Sequence, residues 1–273
     1  MSAPRAPQTD EIFDAAALGY HAAAPLLWEP LGEAYVGHVR PAPGERVLDA
    51  CCGAGSTAFP AARAVGPTGL VDAVDVSSGL VELGRRQASA QGPSPLRFHV
   101  ADVTAWSSPQ PYDLLLCSYG VFFLPDMDAS ARRLADLVRP GGRFSVSAWA
   151  RGSMADFAGL LHRTVRSERA VPGLPDEPNP AQLASMRLNT EDALGEWMTG
   201  LGLRDVSVHR HVHEVPLTPE TAWPLVTGTG FHALLLGLPD DAVARVRDRF
   251  LGSLTTENVT VFDATTLIAT GTP

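Results

Sequence analysis

Three acids close three successive apolar runs. Asp49 ends RVLD, Asp75 ends LVDAVD and Asp102 ends LRFHVAD. Behind the first comes ACCGAGS, with Gly53 and Gly55 two positions apart. Glycines in a turn after a strand let a ligand lie against bare backbone. An acid just ahead of them attracts the positive end of that ligand. The chemistry on offer is recognition of a molecule that is cationic at one end and rich in hydroxyl and amine donors along its length.

Two cofactors compete for the pattern. Gly53-x-Gly55-x-x-Ala58, followed by Asp75, formally fits a nicotinamide-dinucleotide turn. That turn seats a pyrophosphate on a helix N-terminus, and Asp49 would repel it. S-Adenosylmethionine carries no phosphate. Its ammonium and sulfonium suit Asp49, its ribose diol suits Asp75, and its adenine amine suits Asp102, with Val103 as an apolar contact. The ordered set of three acids is more specific than the glycine pair.

The elements that must hold these acids alternate. ERVLDA (45–50), GLVDAVDV (69–76), LRFHVAD (96–102), YDLLLCSY (112–119) and GRFSVSAW (142–149) read as strands. STAFPAARAV (56–65), SGLVELGRRQASA (78–90) and ASARRLADLV (129–138) read as helices between them, the last stopped by RPGG. Such alternation predicts a parallel sheet with helices on both faces, and ligands beyond the carboxyl ends of its strands. Residues 8–40 read as helical, with Leu31, Ala34, Tyr35 and Val39 at helical spacing behind Pro30. After Trp149 the rhythm changes to helical patches around the loop VPGLPDEPNP. DVSVHRHVHEV (205–215) alternates as a strand, and 216–256 returns to helix, with Pro219 at a helix start and Asp240 as a cap. NVTVFDATTLIATG (258–271) reads as one closing strand. The organisation is a helical cover (1–44), a core (45–149), a helical cap insert (150–204) and closing strands (205–273) around a second insert (216–256).

Composition narrows the function. The chain has 273 residues, 45% of them apolar, which suits one large domain with a full core. A net charge of −9 disfavours nucleic acid, and no apolar run reaches membrane-spanning length. The N-terminal MSAPRAPQTDE lacks the pattern of a signal peptide, so a cytoplasmic protein is expected. All 21 basic residues are arginine, which excludes lysine Schiff-base and P-loop chemistry. The three cysteines, Cys51, Cys52 and Cys117, fit neither a disulfide framework nor a zinc site, and are read as small packing residues. His209, His211 and His213 alternate with Val206, Val208 and Val212; the histidines are expected to face solvent rather than hold a metal.

Residues 45–149 resemble class I S-adenosylmethionine-dependent methyltransferases, in particular the ubiquinone/menaquinone-biosynthesis type and its actinobacterial natural-product relatives. The resemblance rests on VLDACCGAGS, LVDAVDVSSGLVELGRRQA, VADVTAW, YDLLLCSYGVFFLPD and LADLVRPGGRFSVSAW. It implies an α/β, Rossmann-like sheet of seven strands, the last antiparallel, under a helical cap. It also implies that Asp49, Ala50, Cys51, Gly53 and Gly55 face the cofactor, together with Asp75, Val76, Ala101, Asp102 and Val103. Cys117, Ser118 and Phe122 would close the site near the reactive methyl, and Tyr20 would reach the methionine end. Cys51 stands where the family usually has the first glycine of the turn.

Methyl transfer needs alignment and a dry cavity, plus a general base when the acceptor is protonated. Candidates for the base are His21, Tyr119, His162 and His232, with His21 favoured for its place beside Tyr20. Trp149, Phe157, Trp197, Trp223 and Phe231 would line or build a cap over a mid-sized apolar acceptor, with Tyr119, His162 and His232 beside them. The reading is therefore methylation of oxygen or nitrogen, less so carbon, on a small organic molecule of secondary metabolism, by a monomer or homodimer. Two alternatives keep the pocket but not the transfer: a cyclase, and a non-catalytic S-adenosylmethionine-binding protein.

Overall fold

The computed structural model describes residues 14, 17, 19–168 and 180–273. Residues 1–13 and most of VPGLPDEPNP lie outside that set.

The apolar runs do become strands, and all but the edge strand, where Arg97 and Val100 are exposed, are covered on both faces over most of their length. They are β1 (Arg46–Ala50), β2 (Leu70–Asp75), β3 (Leu96–Val100), β4 (Tyr112–Ser118) and β5 (Val138–Trp149). The chain closes with β6 (Arg204–His211), β7 (Glu214–Pro216), β8 (Val261–Asp263) and β9 (Thr266–Thr272). The main sheet has seven strands in the order β3-β2-β1-β4-β5-β9-β6. β1 to β5 run parallel, and β9 runs antiparallel to both β5 and β6. Strand order reverses between β1 and β4, and the crevice beyond their carboxyl ends is where such sheets bind ligands.

The helices are α1 (Glu29–Val39), α2 (Ala58–Val65), α3 (Ser78–Gln91), α4 (Met127–Ala135), α5 (Ala155–Glu168), α6 (Pro180–Met186), α7 (Glu191–Gly200), α8 (Pro219–Thr227) and α9 (Asp240–Thr256). Tyr35, Val36 and Val39 of α1 join α2 and α3 over one sheet face, where Val47, Leu114 and Leu116 are buried. Leu134 of α4 and Leu194 and Met198 of α7 cover the other, on Leu48, Leu115 and Phe144. A third core belongs to the cap. It centres on Phe157, which packs edge-on against Phe250 and Phe262, with ring centroids 5.0 and 4.9 Å away.

Several boundaries differ from the sequence reading. RPGG does not stop a helix running to residue 138: α4 ends at Ala135, and Val138 already pairs with Tyr112. Asp240 is the first residue of α9 rather than its cap, which is Pro239. The closing run is two strands, because Asp263 accepts hydrogen bonds from the N–H (2.8 Å) and hydroxyl (2.5 Å) of Thr265 and turns the chain. DVSVHRHVHEV likewise breaks after His211, so Val212 is exposed and His213 partly buried.

The histidine row faces solvent at His209, which is exposed and stacks on the likewise exposed His38 of α1, 4.3 Å between centroids and 12° from parallel, whereas His211 and His213 are partly buried. Pro30 has no N–H to give the Leu26 carbonyl four residues back, and His213 Nε2 donates to that carbonyl instead (3.0 Å). Burial, then the charges of His209 and Arg40, holds His38 below the usual histidine range. Burial, then His213 and His209, does the same for His211. The folded chain thus binds these protons less well than the unfolded chain. Their contribution is complete above the ordinary pKa of about 6.5 and is a penalty below it. The difference in thermal midpoint between the wild type and His38→Gln/His211→Gln should shift towards the variant between pH 7.5 and 5.5. A pH-independent difference would contradict the assignment.

The cover is also joined to the cap. A Cβ on Gly228, at the end of α8, would lie 2.5 Å from Ala23 Cβ and 2.6 Å from the Gly19 carbonyl oxygen. Trp28 Nε1 donates to the Gly228 carbonyl at 3.0 Å.

Candidate active site

The acids stand where the strands end. Asp49 is fully buried, and neither of its oxygens has a hydrogen-bond partner among the described residues. Burial, then the charge of Asp75, pushes its carboxyl well above the usual carboxylate range. A buried acid without a donor is costly unless something cationic completes it.

Asp75 is partly buried. Its Oδ2 accepts from the Gly53 N–H and its Oδ1 from the Ser77 N–H, both at 2.8 Å. Burial raises its pKa, and the backbone donors oppose the rise. Asp102 is exposed, and its Oδ1 caps the 3-10 turn Val103–Ala105 through Thr104 N (2.8 Å) and Oγ1 (2.7 Å). Both acids therefore cap turns, and Asp49 does not. Val76 is 44% exposed and offers an apolar face beside Asp75. Ala101 donates its N–H to the Asp75 carbonyl (2.9 Å), which ties the ends of β2 and β3 together. The Val103 side chain is turned into the core rather than outward.

The turn after β1 requires unusual backbone. Cys51, Gly53 and Gly55 have φ of +59°, +54° and +96°. Cys51 thus takes a glycine conformation at a cost of about 1–2 kcal/mol. Gly55 is also required by packing: a Cβ there would meet Phe98 Cζ at 2.7 Å and Phe59 Cε2 at 3.1 Å. Gly120 brings the β4 loop against this turn, since its Cβ would lie 2.4 Å from Cys51 Cβ and 3.1 Å from Cys117 Sγ. Ala50 and Cys117 are buried, as is Phe122 of the 3-10 turn Val121–Phe123. Ser118 Oγ lies 3.0 Å from Ser147 Oγ.

Tyr20 reaches the same turn by a hydrogen bond between its hydroxyl and Ser56 Oγ, and burial raises its pKa. Its neighbour His21 is exposed. Sequence reasoning missed Asp14, whose Oδ1 accepts from Ser77 Oγ and from the Gly79 N–H (3.0 Å). One acid shortly after Asp10 and Glu11, inside IFDAAAL, gives no signal of such a contact.

Tyr119 and Trp149 stack at 4.0 Å and 18°, and both touch the sheet core and the cap core. The Tyr119 hydroxyl meets Thr266 Oγ1 at 2.6 Å. Trp28, also missed, lies 6.0 Å from Tyr119 and 6.2 Å from Trp149. Phe231 packs on Phe157 at 5.5 Å, inside the cap core. Trp223 packs against that core as well, whereas Trp197 joins the sheet core and donates to Asp128 Oδ1 (2.8 Å). Burial lowers the pKa of His162 and of His232. His232 Nδ1 is buried without a hydrogen-bond partner among the described residues. Among those residues no group of three or more metal-ligating side chains converges, and no helix is long and apolar enough to cross a membrane.

The arrangement suits a ligand that brings a cation to Asp49, hydroxyls to Asp75 and an amine to Asp102. Residues 47–142 match the family model described as a methyltransferase domain. The aklanonic acid methyltransferase of Streptomyces sp. (strain C5) is 35% identical over 139 residues, 50% of this chain and 63% of that protein. The nocamycin O-methyltransferase of Saccharothrix syringae is 31% identical over 137 residues, 50% of this chain and 49% of that protein. The chain thus spans 63% and 49% of the length of these two relatives. Among solved structures, the [4+2]-cyclase SpnF superposes with a TM-score of 0.58 at 15% identity, over 100% of this chain and 99% of that one. Likeness at that identity shows the fold alone.

Proposed function

We propose that this chain, whose residues 47–142 are a methyltransferase domain, moves a methyl group from S-adenosylmethionine to an oxygen of a small, largely apolar organic acceptor. Nitrogen is the second choice and carbon the third. The observation that carries the reading is Asp49, a fully buried carboxyl with no hydrogen-bond partner among the described residues, at the end of β1. A phosphate would aggravate that charge, and a sulfonium or ammonium would complete it. The oxygen preference is supported by the O-methyltransferase relative.

The bound cofactor would supply an activated methyl group on a positive sulfur. Asp49 would hold its cationic end, with Tyr20 and the backbone of Ala50, Cys51, Gly53 and Gly55 around it. Asp75 would take the ribose, and Val76, Ala101, the backbone of Val103 and Asp102 Oδ2 would take the adenine. Cys117, Ser118 and Phe122 would keep water from the reacting centre. Tyr119 and Trp149 would form one wall for the acceptor, with Phe157 and Phe231 stiffening the cap above it. His232 is the base this reading favours over His21, because it is held neutral by burial and has an unused ring nitrogen. Burial and then the charge of Arg166 lower the pKa of His162 as well, but it has no buried ring nitrogen without a partner among the described residues. The four-part division at residues 44, 149 and 204, a monomer or homodimer, a cytoplasmic setting and the absence of a nucleic-acid partner belong to the same reading.

His232→Gln should lower kcat by about a hundredfold and leave the affinity for S-adenosylhomocysteine within twofold. An unchanged kcat would remove His232 as the base. The reading as a whole is tested by calorimetric titration with S-adenosylmethionine, S-adenosylhomocysteine and NADH, then by S-adenosylhomocysteine release with hydroxylated ring acceptors. Binding of the first two and acceptor-dependent release are expected. Binding of NADH alone would overturn it, and so would acceptor turnover without S-adenosylhomocysteine release.

A further inference from the structure

Asp72 lies in the middle of β2, 7% exposed, on the face away from α1. Its Oδ1 pairs with His99 Nε2 of β3 at 3.0 Å, and its Oδ2 accepts from the Tyr112 hydroxyl at 2.9 Å. Tyr112, at the start of β4, is wholly buried, and its oxygen accepts in turn from Trp106 Nε1 at 3.0 Å. The Trp106 and His99 rings lie 4.7 Å apart, and the Trp106 carbonyl accepts from Arg133 of α4 at 2.7 Å.

A polar chain of this kind stabilises a core less than apolar side chains of the same volume would. What it does is fix directions. Both Asp72 oxygens, the Tyr112 hydroxyl and Trp106 Nε1 have partners, so the Trp106 ring is held by its nitrogen, its face and its backbone. Trp106 is also the residue that ends the 3-10 turn Val103–Ala105, its N–H meeting the Val103 carbonyl at 3.2 Å. Asp102 opens that turn with Oδ1, and its Oδ2 takes no hydrogen bond among the described residues. The segment is pinned at both ends, with one carboxylate oxygen left over at the carboxyl edge of β3.

We propose that Asp72, Tyr112 and His99 are positioning residues for the adenine site: they orient Trp106 and, through it, the Asp102–Ala105 turn that receives the adenine. The proposal rests on the cofactor reading above. It separates the adenine half of the site from the methionine half, which Asp49 and the β1 turn would serve.

The test uses the full chain and three ligands: S-adenosylhomocysteine, adenosine, and S-ribosylhomocysteine, which lacks the base. Trp106→Phe keeps a ring against His99 and removes the donor. Tyr112→Phe breaks the chain at its centre. Trp106→Phe should weaken S-adenosylhomocysteine and adenosine about fivefold, as loss of one oriented hydrogen bond implies, and leave S-ribosylhomocysteine within twofold. Tyr112→Phe should show the same selectivity; should it fail to fold, Trp106→Phe decides alone. Equal weakening of all three ligands, or of none, would overturn the proposal. A wild-type chain that binds neither S-adenosylhomocysteine nor adenosine would remove the site itself, an outcome distinct from the failure of positioning alone.

Discussion

Asp75→Ala weakens S-adenosylhomocysteine binding by about a hundredfold, while the thermal midpoint falls by only a few degrees. The two readouts separate because the carboxylate has two tasks. In the free chain it accepts from the Gly53 and Ser77 N–H groups, each at 2.8 Å. Asp75 is partly exposed, so water can reach both donors once it is gone, and the fold loses about 1 kcal/mol. In the complex the same oxygens would accept from two ribose hydroxyls, with no substitute once water is displaced. Hydrogen bonds to a charged acceptor contribute about 1.5–3 kcal/mol each, and a hundredfold is about 2.7 kcal/mol. Calorimetry and thermal melts on one preparation give both numbers. Wild-type affinity in the variant would withdraw the ribose assignment.

The second large effect is a proton. Burial and the charge of Asp75 raise the Asp49 pKa in the folded chain above its unfolded value. The sign is therefore opposite to that of a salt-bridged aspartate. The free chain gains stability from Asp49 as pH falls and loses it as pH rises through the folded pKa. A cation seated against Asp49 lowers that pKa again, so S-adenosylmethionine binding should release a proton and tighten with rising pH. Binding heats in buffers of different ionisation enthalpy should reveal the release, up to about one proton. Asp49→Asn should abolish the buffer dependence and cost about a hundredfold in affinity. Identical wild-type heats in every buffer would show that Asp49 does not ionise on binding.

The strand-end acids were legible because a strand buried on both faces is a short apolar run, and an acid within it, such as Asp72, needs buried partners that an acid at its end does not. Gly53 and Cys51 were legible as a turn, but the packing role of Gly55 was not. Its bareness answers to Phe98, 43 residues away on another strand, and no local pattern carries that contact. The histidine row was legible only in part: alternation shows that the two faces of β6 differ and His209 is exposed, but the stack on His38 and the partial burial of His211 are tertiary and leave no local pattern. FDATT did hold a readable signal, since Asp two residues before Thr is turn chemistry that splits a strand. Trp28 and Asp14 act through tertiary contacts with segments far along the chain, so their neighbours in sequence announce nothing.

The contact of Gly19 and Ala23 with Gly228 bears on the order of events in a catalytic cycle. The segment that carries those residues also holds Tyr20 against Ser56 at the cofactor turn. Lifting it from that turn would pull on α8, which packs in the cap core and which the proposed function sets as a roof over the acceptor. Entry and exit for both ligands then share one opening. Under this hypothesis the two products leave with a single common rate constant in transient kinetics, and added viscogen slows both equally. Two separable rates would mean that the cover and the roof move on their own.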